Sequence, residues 1–527
     1  MNPTQPTLKQ YDVIIVGGAL SGAGAAILLL QQQRSLRVLL IEKSTAFTRR
    51  VGEATVEVSS WYLSRALGLT QHLNESHLVK QGMRFWFAGE RTQTLADCGE
   101  IGGRYQVRLP AYQVDRAVLD EEVLRRARQI GAEVWRPANV QTIQLVPGGE
   151  QIVTASDASR TCTLTTRWVV DASGVAALLA RGNGWWRANA EHPTTAVWAR
   201  WRGVKDWDGL ELASKHPEWA AACPGVRGTA TNHMMGDGWW SWWIPLKGGD
   251  FSIGVVFDQR LVKWPAPRSD ISMGQRLLEF LQQHPAAREL LVDAHWVEGD
   301  VHWRKNLPYF CTTLAGDGIA LVGDAAGFID PFYSPGMDWI AFTCVSATEL
   351  ILAQQRGEDV APLVARHNRD FTRSYQRWFT AVYRDKYEYM AEFDLMRLAF
   401  VLDLGLYYLG IVSQPFKRGL KALREPMFST KPSVPVYHLM RTYNRRFARI
   451  AQTRRARGAL RQRNHGQRFL FGGYTLEPAS ARPVIGALLR WAWLEVTEGW
   501  RSWVMKKTLA TAQAERLPTA SSKPEEV

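Results

Sequence analysis

The sequence predicts a mixed α/β fold that opens with a βαβ unit and closes with a helical region. Residues 11–16, YDVIIV, form a short β-branched apolar run, the residues from Gly18 onward have helical character, and residues 38–43, VLLIEK, indicate a second strand. From about residue 340 onward, long helical stretches replace the strand signals. Further strand-like segments lie at 168–174, 251–257 and 319–327, and the later part of 112–132 has helical periodicity. Such alternation is typical of the α/β class.

Length and composition limit the possible architectures and indicate the cellular compartment. With 527 residues and 46% hydrophobic content, the chain exceeds one ordinary core, so we expect two packed lobes and a C-terminal extension. Five scattered cysteines without metal-ligand spacing predict reduced thiols and no metal site. The first residues lack the pattern of an export signal, so we expect a cytoplasmic protein.

Positive charge is concentrated in one block near the C-terminus. Between Lys417 and Arg468 there are fifteen Lys and Arg residues and one acid, Glu425, which equals the net charge of +14 of the whole chain. Such a block could face an anionic membrane surface, an acidic protein partner or nucleic acid. No recognised nucleic-acid module accompanies it, so we expect no nucleic-acid partner. The alternative is a solvated basic face of ordinary helices, because Tyr443, Phe447, Ile450 and Leu460 interleave with the charges.

Two C-terminal segments raise the question of membrane contact. Residues 395–412 form an apolar run, but Arg397 and Asp403 interrupt it, so we expect a buried or interfacial helix and not a membrane span. A second segment would suit a helix lying at the inner face of a membrane, but aromatic residues in such a pattern usually pack into the core, which is the favoured interpretation. It contains Trp491, Trp493, Trp500 and Trp503, followed by Lys506 and Lys507. The polar residues 511–527 predict a disordered tail.

A degenerate glycine fingerprint follows the first strand. It opens the first helix, where backbone N–H groups and the helix dipole can hold a diphosphate. Ala19 replaces the central glycine, and Glu42 ends the second strand, where a carboxylate can accept bonds from both ribose hydroxyls. The alternative is a glycine-rich turn that binds nothing. The residues predicted to bind a dinucleotide are Gly17, Gly18, Ala19, Ser21, Gly22, Glu42 and Lys43.

Motifs in the second half of the chain indicate which dinucleotide is bound. Gly323-Asp324 after the run IALV resembles the GD motif of the FAD-dependent monooxygenase and halogenase superfamily, of the GR2 type, whose aspartate holds the ribityl chain. Gln113, Arg116 and Asp120 resemble that superfamily's helix near FAD, and DASG at 171–174 resembles its return strand. The resemblance implies a Rossmann-type FAD-binding domain interleaved with a β-sheet substrate domain. We expect residues 8–345 to form these domains, with the substrate part near 80–110 and 180–305, and residues 346–510 to form a helical region.

Two further motifs resemble the flavin-dependent halogenases. Residues 240–245, WSWWIP, match the WxWxIP motif of that family, and we assign Trp240, Trp242, Ile244 and Pro245 to the substrate pocket by this resemblance. The period-two tryptophans would project from one face of a strand that Pro245 ends, and the alternative is a tryptophan-rich core strand. The family's GEAT segment corresponds to Gly52, Glu53, Ala54 and Thr55, and by resemblance the last three, with Gly336 and Met337, contact the cofactor.

Lys80 takes the position of the family's catalytic lysine by resemblance of the stretch KQGMRF that it begins. A lysine alone is usually a solvated surface residue. In this chemistry, reduced FAD, oxygen and halide yield hypohalous acid, which a buried ammonium can hold and polarise. We therefore predict that Lys80 is the catalytic residue.

The loop Asp330–Gly336, DPFYSPG, corresponds to the family's halide-binding loop. Pro335 falls where one backbone donor would lie, and proline has no N–H, so Ser334 and Gly336 are the halide candidates, with Met337 as a further donor. Tyr333, which we also assign to the substrate pocket, stands where tryptophan halogenases carry a glutamate. We therefore expect a phenol or a pyrrole as substrate in preference to free tryptophan.

The sequence thus predicts an FADH2- and oxygen-dependent halogenase that uses chloride or bromide. No second nucleotide fingerprint is visible, which favours a separate flavin reductase as partner. The basic block could dock an acidic carrier protein that presents the aromatic substrate. Two alternatives stay open: a related FAD-dependent monooxygenase or dehydrogenase that uses no halide because of Pro335, and a flavin-binding scaffold without turnover. The halide, the regiochemistry and the oligomeric state are not predicted.

Overall fold

The computed structural model describes residues 9–266, 270–473, 475–477 and 481–501. The predicted tail at 511–527, together with Trp503, Lys506 and Lys507, lies outside these ranges. The strands in chain order are β1 (Lys9–Val16), β2 (Val38–Ile41), β3 (Leu78–Val79), β4 (Met83–Phe87), β5 (Gly99–Gly103), β6 (Tyr112–Gln113), β7 (Glu133–Trp135), β8 (Asn139–Gln144), β9 (Gln151–Ser156), β10 (Thr161–Asp171), β11 (Trp186–Ala188), β12 (Thr194–Arg202), β13 (Thr231–Gly236), β14 (Trp239–Pro245), β15 (Phe251–Asp258), β16 (His295–Trp296), β17 (His302–Arg304), β18 (Tyr309–Cys311), β19 (Ala315–Gly316), β20 (Ile319–Leu321), β21 (Gly327–Phe328) and β22 (Arg468–Phe471).

Helices connect the strands of the first 335 residues and dominate the remainder. The α-helices are α1 (Leu20–Gln32), α2 (Glu57–Trp61), α3 (Thr70–Ser76), α4 (Arg116–Gln129), α5 (Leu178–Gly182), α6 (Leu210–Lys215), α7 (Pro217–Ala221), α8 (Met273–Leu281), α9 (Pro285–Leu290), α10 (Gly336–Gln355), α11 (Ala361–Trp378), α12 (Phe393–Tyr407), α13 (Ser413–Arg418), α14 (Val434–Ala456) and α15 (Ala481–Leu494). Single turns of π-helix extend four of these segments, at Tyr62–Ala66, Phe379–Tyr383, Tyr408–Val412 and Glu495–Gly499.

The first sheet has eight strands and contains the predicted βαβ unit. Its main path runs β19-β20-β10-β1-β2-β7, and β8 and β9 continue from the side of β10. The pairings of β1 with β2 and β10, and of β10 with β20, are parallel, which requires crossover connections such as α1. Strand β1 is buried on both faces, as its unbroken β-branched run predicts.

The second sheet has nine strands and is interleaved with the first in sequence. Its main path runs β16-β12-β15-β14-β13-β4-β5-β22, with β17 beside β12. Alternation along β14 sends Trp240 and Trp242 into the core shared with the first sheet, while Trp243 enters a separate core under α8 and α9. Pro245 is the last residue of the strand, as its missing N–H predicts. The interleaved α/β fold predicted from the sequence is confirmed.

The described part of the C-terminal region is helical except for one strand that was not predicted from the sequence. Strand β22 lies within it and pairs in parallel with β5 at the edge of the second sheet. Four residues with no alternating pattern give no strand signal, because the pairing depends on a distant edge. Two helical segments, Gly336–Gln355 and Phe393–Arg424, are long and apolar enough to cross a membrane, but 89% and 61% of their most apolar windows are buried inside the protein.

Several arginines of the basic block form ion pairs within the protein. Arg446 on α14 is buried and pairs with Glu495, with a closest contact of 2.5 Å between their side-chain nitrogen and oxygen atoms. Arg454 pairs with Asp394 at 2.7 Å, and Arg455 pairs with Glu388 at 2.9 Å. A solvated basic face is therefore the wrong description for these arginines, because they fasten α14 to neighbouring acidic residues.

Candidate active site

Four features predicted to bind the nucleotide lie at the carboxyl ends of four parallel strands. They are the glycine fingerprint after β1, Glu42 after β2, the DASG segment at the end of β10 and the GD motif after β20. In register, Val16 of β1 pairs with Ile41 of β2 and with Asp171 of β10, and Asp171 pairs with Leu321 of β20. Ligands of open parallel sheets bind at this edge. The chain is fixed there by Asp171, whose carboxylate accepts the N–H of Ser173 at 3.0 Å and of Leu179 at 2.8 Å.

The glycines permit a backbone packing that side chains would prevent. Gly17 has a φ of +105°, and a Cβ added there would lie 2.4 Å from the carbonyl oxygen of Ala172. A Cβ at Gly22 would lie 1.9 Å from the carbonyl oxygen of Gly17, so α1 could not start so close to β1. Ser21 reaches the second half of the chain, since a Cβ at Gly323 would lie 2.3 Å from its Oγ. The first helix and the GD motif are thus in contact.

Acidic side chains surround the turn at Gly17–Gly22, which forms the cradle of the nucleotide site. Glu42 accepts the N–H groups of Gly18 and Ser44, both at 2.8 Å, and is buried at the end of β2. Asp120 accepts the N–H of Leu20 at 3.1 Å and pairs with Arg116 at 3.1 Å. Lys43, by contrast, is exposed.

Lys80 is a buried amine. It is 1% exposed, and its Nζ donates a hydrogen bond to the carbonyl oxygen of Thr55 at 2.9 Å. The backbone N–H of Lys80 donates to the carbonyl oxygen of Ala111, and the backbone N–H of Thr55 donates to that of Tyr112. These bonds hold together the GEAT segment, β6 and the connection between β3 and β4. Burial lowers the pKa of Lys80 to about 8, while the nearby carboxylates of Glu57 and Asp338 act in the opposite direction.

The loop before α10 is held in a strained conformation. Tyr333 and Ser334 have φ values of +68° and +57°, a region that favours glycine. Asp330 anchors the loop by accepting the N–H of Phe332 at 2.8 Å and the hydroxyl of Tyr387 at 2.9 Å. The N–H of Ser334 donates to Pro331 at 3.0 Å. Of the two halide candidates, Ser334 therefore has its amide engaged, whereas the amide of Gly336 lies in the first turn of α10, where N–H groups have no intrahelical acceptor.

A cavity with about 570 Å³ of empty space, its mouth included, opens beside this loop. Its lining is mainly aromatic and methionine side chains, and three carboxylates, those of Glu57, Asp338 and Asp403, face it among them. The remaining lining residues are Val56, Met83, Tyr333, Pro335, Trp378, Val382, Tyr383, Phe400, Leu404, Tyr407, Met427 and Met440. Such a lining suits an aromatic ligand that carries a polar group.

Residues 10–339 match the family model described as an FAD binding domain. The chain belongs to this FAD-binding family. FAD is therefore its cofactor.

Relatives and solved structures extend the similarity to halogenases. The flavin-dependent halogenase chlA of Dictyostelium discoideum is 26% identical over 65% of this chain and 60% of its own length. Tryptophan 2-halogenase of Chondromyces crocatus is 27% identical over 69% of this chain and 66% of its own length. The chain thus spans somewhat less than two thirds of these relatives. The structure of halogenase PltM in complex with phloroglucinol and FAD superposes with a TM-score of 0.71 at 19% identity, covering 92% of this chain and 96% of that one. The predicted resemblance to flavin-dependent halogenases is confirmed.

The site residues fit FAD, and two of them offer groups that the protein leaves available. Among the described residues, the carboxylate of Asp324 has no hydrogen-bond partner, and burial raises its pKa while Arg116 acts oppositely. Met337 is buried beside Gly336, where an added Cβ would meet nothing within 4 Å. With the cradle at Gly17–Gly22, these groups would hold the diphosphate, the ribityl chain and the flavin edge.

Two of the residues predicted to contact FAD have side chains that bind other residues of the protein. The carboxylate of Glu53 pairs with Arg200 of β12 at 2.7 Å, and both side chains are buried. The amide of Gln113 donates to Thr231 at 2.8 Å. Both side chains therefore tie the FAD-binding part to the second sheet, whereas Ala54 forms a β-bridge with Gln113 within the FAD-binding part.

The WxWxIP residues lie behind the flavoprotein's cavity and not on its surface. Trp240 donates to the hydroxyl of Tyr387 at 2.9 Å, and its ring lies 5.1 Å from that of Phe332 in the strained loop. Trp242 donates to Ser252 at 3.1 Å. Neither tryptophan, nor Ile244 nor Pro245, lines the cavity. Strand alternation directs Trp240, Trp242 and Ile244 into the core that supports the loop, so their assignment to the substrate pocket stays a prediction, whereas Tyr333 lines the cavity.

The carboxylates of the flavoprotein's cavity were not predicted from the sequence. Burial raises the pKa of Asp338 to about 7, although it accepts the N–H of Ser59 and the hydroxyl of Tyr407, both at 2.9 Å. Asp403 accepts a bond from the buried Lys386 at 2.7 Å and from the hydroxyl of Tyr333 at 3.2 Å. A charge inside the apolar run 395–412 was the one available signal for Asp403.

Proposed function

We propose that this chain catalyses the halogenation of an electron-rich aromatic substrate, a phenol or a pyrrole, by FADH2 and oxygen with chloride or bromide. The observation that carries the proposal is the placement of Lys80. Its ammonium is buried between the GEAT segment and β6, close to the cavity carboxylates of Glu57 and Asp338, and in the described structure one acceptor, the Thr55 carbonyl, binds it. The remaining N–H bonds of the amine are available to a ligand.

Reduced FAD, when bound, supplies with oxygen the two-electron oxidation that converts halide to hypohalous acid. Lys80 is placed to hold the oxygen of that acid and to polarise its bond to the halogen. As the carbon–halogen bond forms, the halogen–oxygen bond breaks, and the ammonium gives a proton to the departing oxygen, which leaves as water. The ring C–H bond then breaks, and its proton passes to the free amine, which restores the ammonium.

Glu57 is the side chain that we propose as the base for a phenolic substrate. Its carboxylate lines the cavity, and one of its oxygens accepts the hydroxyl of Tyr408. The second oxygen has no hydrogen-bond partner among the described residues, in contrast to Asp338 and Asp403, whose oxygens all accept bonds. A carboxylate that accepts the phenol proton raises the nucleophilicity of the ring. The solved complex of halogenase PltM with phloroglucinol, a phenol, supports this substrate class.

The first turn of α10 is the halide site that we propose. The N–H groups of Gly336 and Met337 precede the first intrahelical bond, which runs from Trp339 to Pro335, and the helix dipole favours an anion there. Pro335 contributes no donor. That loss supports a second candidate function, an FAD-dependent monooxygenase or dehydrogenase that uses no halide.

A separate flavin reductase and an acidic carrier protein are the partners that we propose. The lack of a second nucleotide fingerprint supports the reductase. Lys417, Lys421 and Lys431, which are exposed and have no ion pair among the described residues, support an acidic partner.

One incubation separates these functions. The purified protein is mixed with FAD, a flavin reductase, NADH, oxygen and bromide, and with a panel of phenols, pyrroles and indoles. We expect a monobrominated phenol or pyrrole, recognised in the mass spectrum by its isotope doublet. A hydroxylated or desaturated product would select the second candidate function, and bound FAD without any product would contradict both. Repeating the incubation with the substrate attached to a carrier protein tests the mode of presentation.

A further inference from the structure

The inner face of helix α15 packs against the rest of the protein. Val484 and Ala487 are buried, and the ring of Trp491 lies 6.1 Å from Tyr443 and 6.3 Å from Phe447 of α14. This part of the tryptophan-rich segment is therefore core. It fixes which face of the helix points outward.

The outer face carries a continuous apolar stripe. Its members recur every three or four residues, so they lie above one another along the helix and the π-turn that follows it. The stripe is about 22 Å long at 1.5 Å per residue. It consists of Ile485 (56% exposed), Leu489 (68%), Trp493 (69%), Val496 (69%) and Trp500 (52%). Few surfaces of this protein resemble it, since these five account for five of the thirteen exposed large hydrophobic residues in the described ranges.

The charge beside the stripe has one sign. The two acids of this segment point inward, Glu495 to Arg446 of α14 and Glu498 to Arg454, with nitrogen to oxygen contacts of 2.5 and 3.0 Å. Arg482, Arg490 and Arg501 are exposed and form no ion pair with any described residue. The outer face is thus apolar and positively charged at once.

We propose that this face, Ile485 to Trp500 with Arg482, Arg490 and Arg501, docks on an anionic lipid membrane. Aliphatic side chains would enter the acyl boundary, the tryptophan rings would lie at headgroup depth, and the arginines would contact lipid phosphates. A second copy of the chain fits less well, because a two-fold pairing of the stripe brings the mid-stripe Arg490 of one copy toward that of the other. The proposal is independent of the reaction that the cavity supports.

The test uses the full-length holoprotein and vesicles. Cosedimentation is measured with vesicles of phosphatidylglycerol and phosphatidylcholine, and with phosphatidylcholine alone. We expect binding to the anionic vesicles that falls with added salt. In a Leu489→Ser/Trp493→Ser double variant, vesicle affinity should decrease about tenfold or more, because each substitution removes an apolar side chain that would be buried in the membrane. The matched control is Leu210→Ser, which removes a side chain that is 87% exposed elsewhere on the surface and should bind like the wild type. The absorbance spectrum of bound FAD shows that each variant is folded.

Three outcomes would overturn the proposal. Absence of cosedimentation by the wild type is the first, and equal loss in the Leu210→Ser control is the second. The third is binding to neutral vesicles that equals binding to anionic ones, since the arginines would then contribute nothing. Sedimentation velocity completes the test: a wild-type dimer that the double variant abolishes, without vesicle binding, would assign the stripe to a second copy of the chain.

Discussion

The ammonium of Lys80 donates to the backbone carbonyl of Thr55 at 2.9 Å, and no carboxylate of the described residues is its direct partner. A buried lysine is commonly neutralised by an ion pair, whereas here Glu57 and Asp338 act from a distance and burial dominates. The amine is thus desolvated and still has donors to offer.

Replacing Lys80 with alanine should abolish halogenation and leave FAD bound. We expect a rate loss of about 10²-fold to 10⁴-fold, the usual contribution of a positioned proton donor. Product formation is measured by mass spectrometry and FAD retention by absorbance. Lys263→Ala, which changes an exposed lysine without an assigned role, is the control. Undiminished halogenation by the Lys80 variant would remove this residue from the mechanism.

The same residue predicts a pH dependence. Because burial lowers the pKa of Lys80 to about 8, its charged form predominates below pH 8 and disappears as pH rises through that value. If the ammonium is the working form, the rate should decline above about pH 8, in a single ionisation. The profile is measured at saturating substrate, with reductase turnover assayed separately. A rate that increases through this window would indicate that the free amine is active.

Glu57→Gln should separate oxidant formation from transfer. Loss of the base should lower phenol halogenation by about 10²-fold or more, while hypohalous acid trapped by a reactive diketone continues to form. Glu75→Gln, at an exposed glutamate, serves as the matched variant. If halogenation of the diketone and of the phenol decrease together in the variant, Glu57 acts in the formation of hypohalous acid and not in its transfer.

Pro335→Thr should restore a backbone donor at the start of α10. We expect the half-saturating halide concentration to decrease, since one more N–H points at the proposed anion site. Halide titrations of the rate measure it, with the exposed Pro432→Thr as control. An unchanged titration would show that Gly336 and Met337 suffice.

Lys386 and Asp403 should be costly to separate. Both are buried and paired at 2.7 Å, so Lys386→Met leaves an uncompensated carboxylate and should destabilise the fold by about 3–5 kcal/mol. Lys386→Met/Asp403→Leu should be less destabilised than the sum of its single variants. Denaturant unfolding followed by fluorescence gives the values, and Lys417→Met provides an exposed comparison. Additive effects would show that the two groups do not interact.

Gly22→Ala should weaken FAD binding, because its Cβ would lie 1.9 Å from the backbone oxygen of Gly17 and force α1 away from β1. A loss of about tenfold or more in affinity is expected. Gly182→Ala, where the added atom meets nothing within 4 Å, should bind as the wild type does. Titration of the apoprotein with FAD compares them, and equal affinities would refute the close-packing argument.

The sequence predicted the parts of the site that local pattern encodes. The fingerprint, Glu42 and the GD motif lie at strand ends, so a strand–turn–helix pattern places them without further information. Lys80 was found by its flanking residues, not by its type, because nothing in a lone lysine indicates burial. Glu57 and Asp403 were missed since they reach one cavity from segments 346 residues apart. Strand alternation was read correctly for Trp240, but which core its face enters depends on the packing of α12 and the loop.

Strand β22 joins the helical region to the edge strand β5, so the last part of the chain supplies hydrogen bonds to the sheet beside the cavity. The C-terminal region is consequently no detachable appendage. Shortening the chain before Arg468 would bare a ladder of unpaired amides and carbonyls on β5, a surface prone to aggregation. Recombinant versions that end there should be recovered from inclusion bodies even if every cofactor and cavity residue is retained.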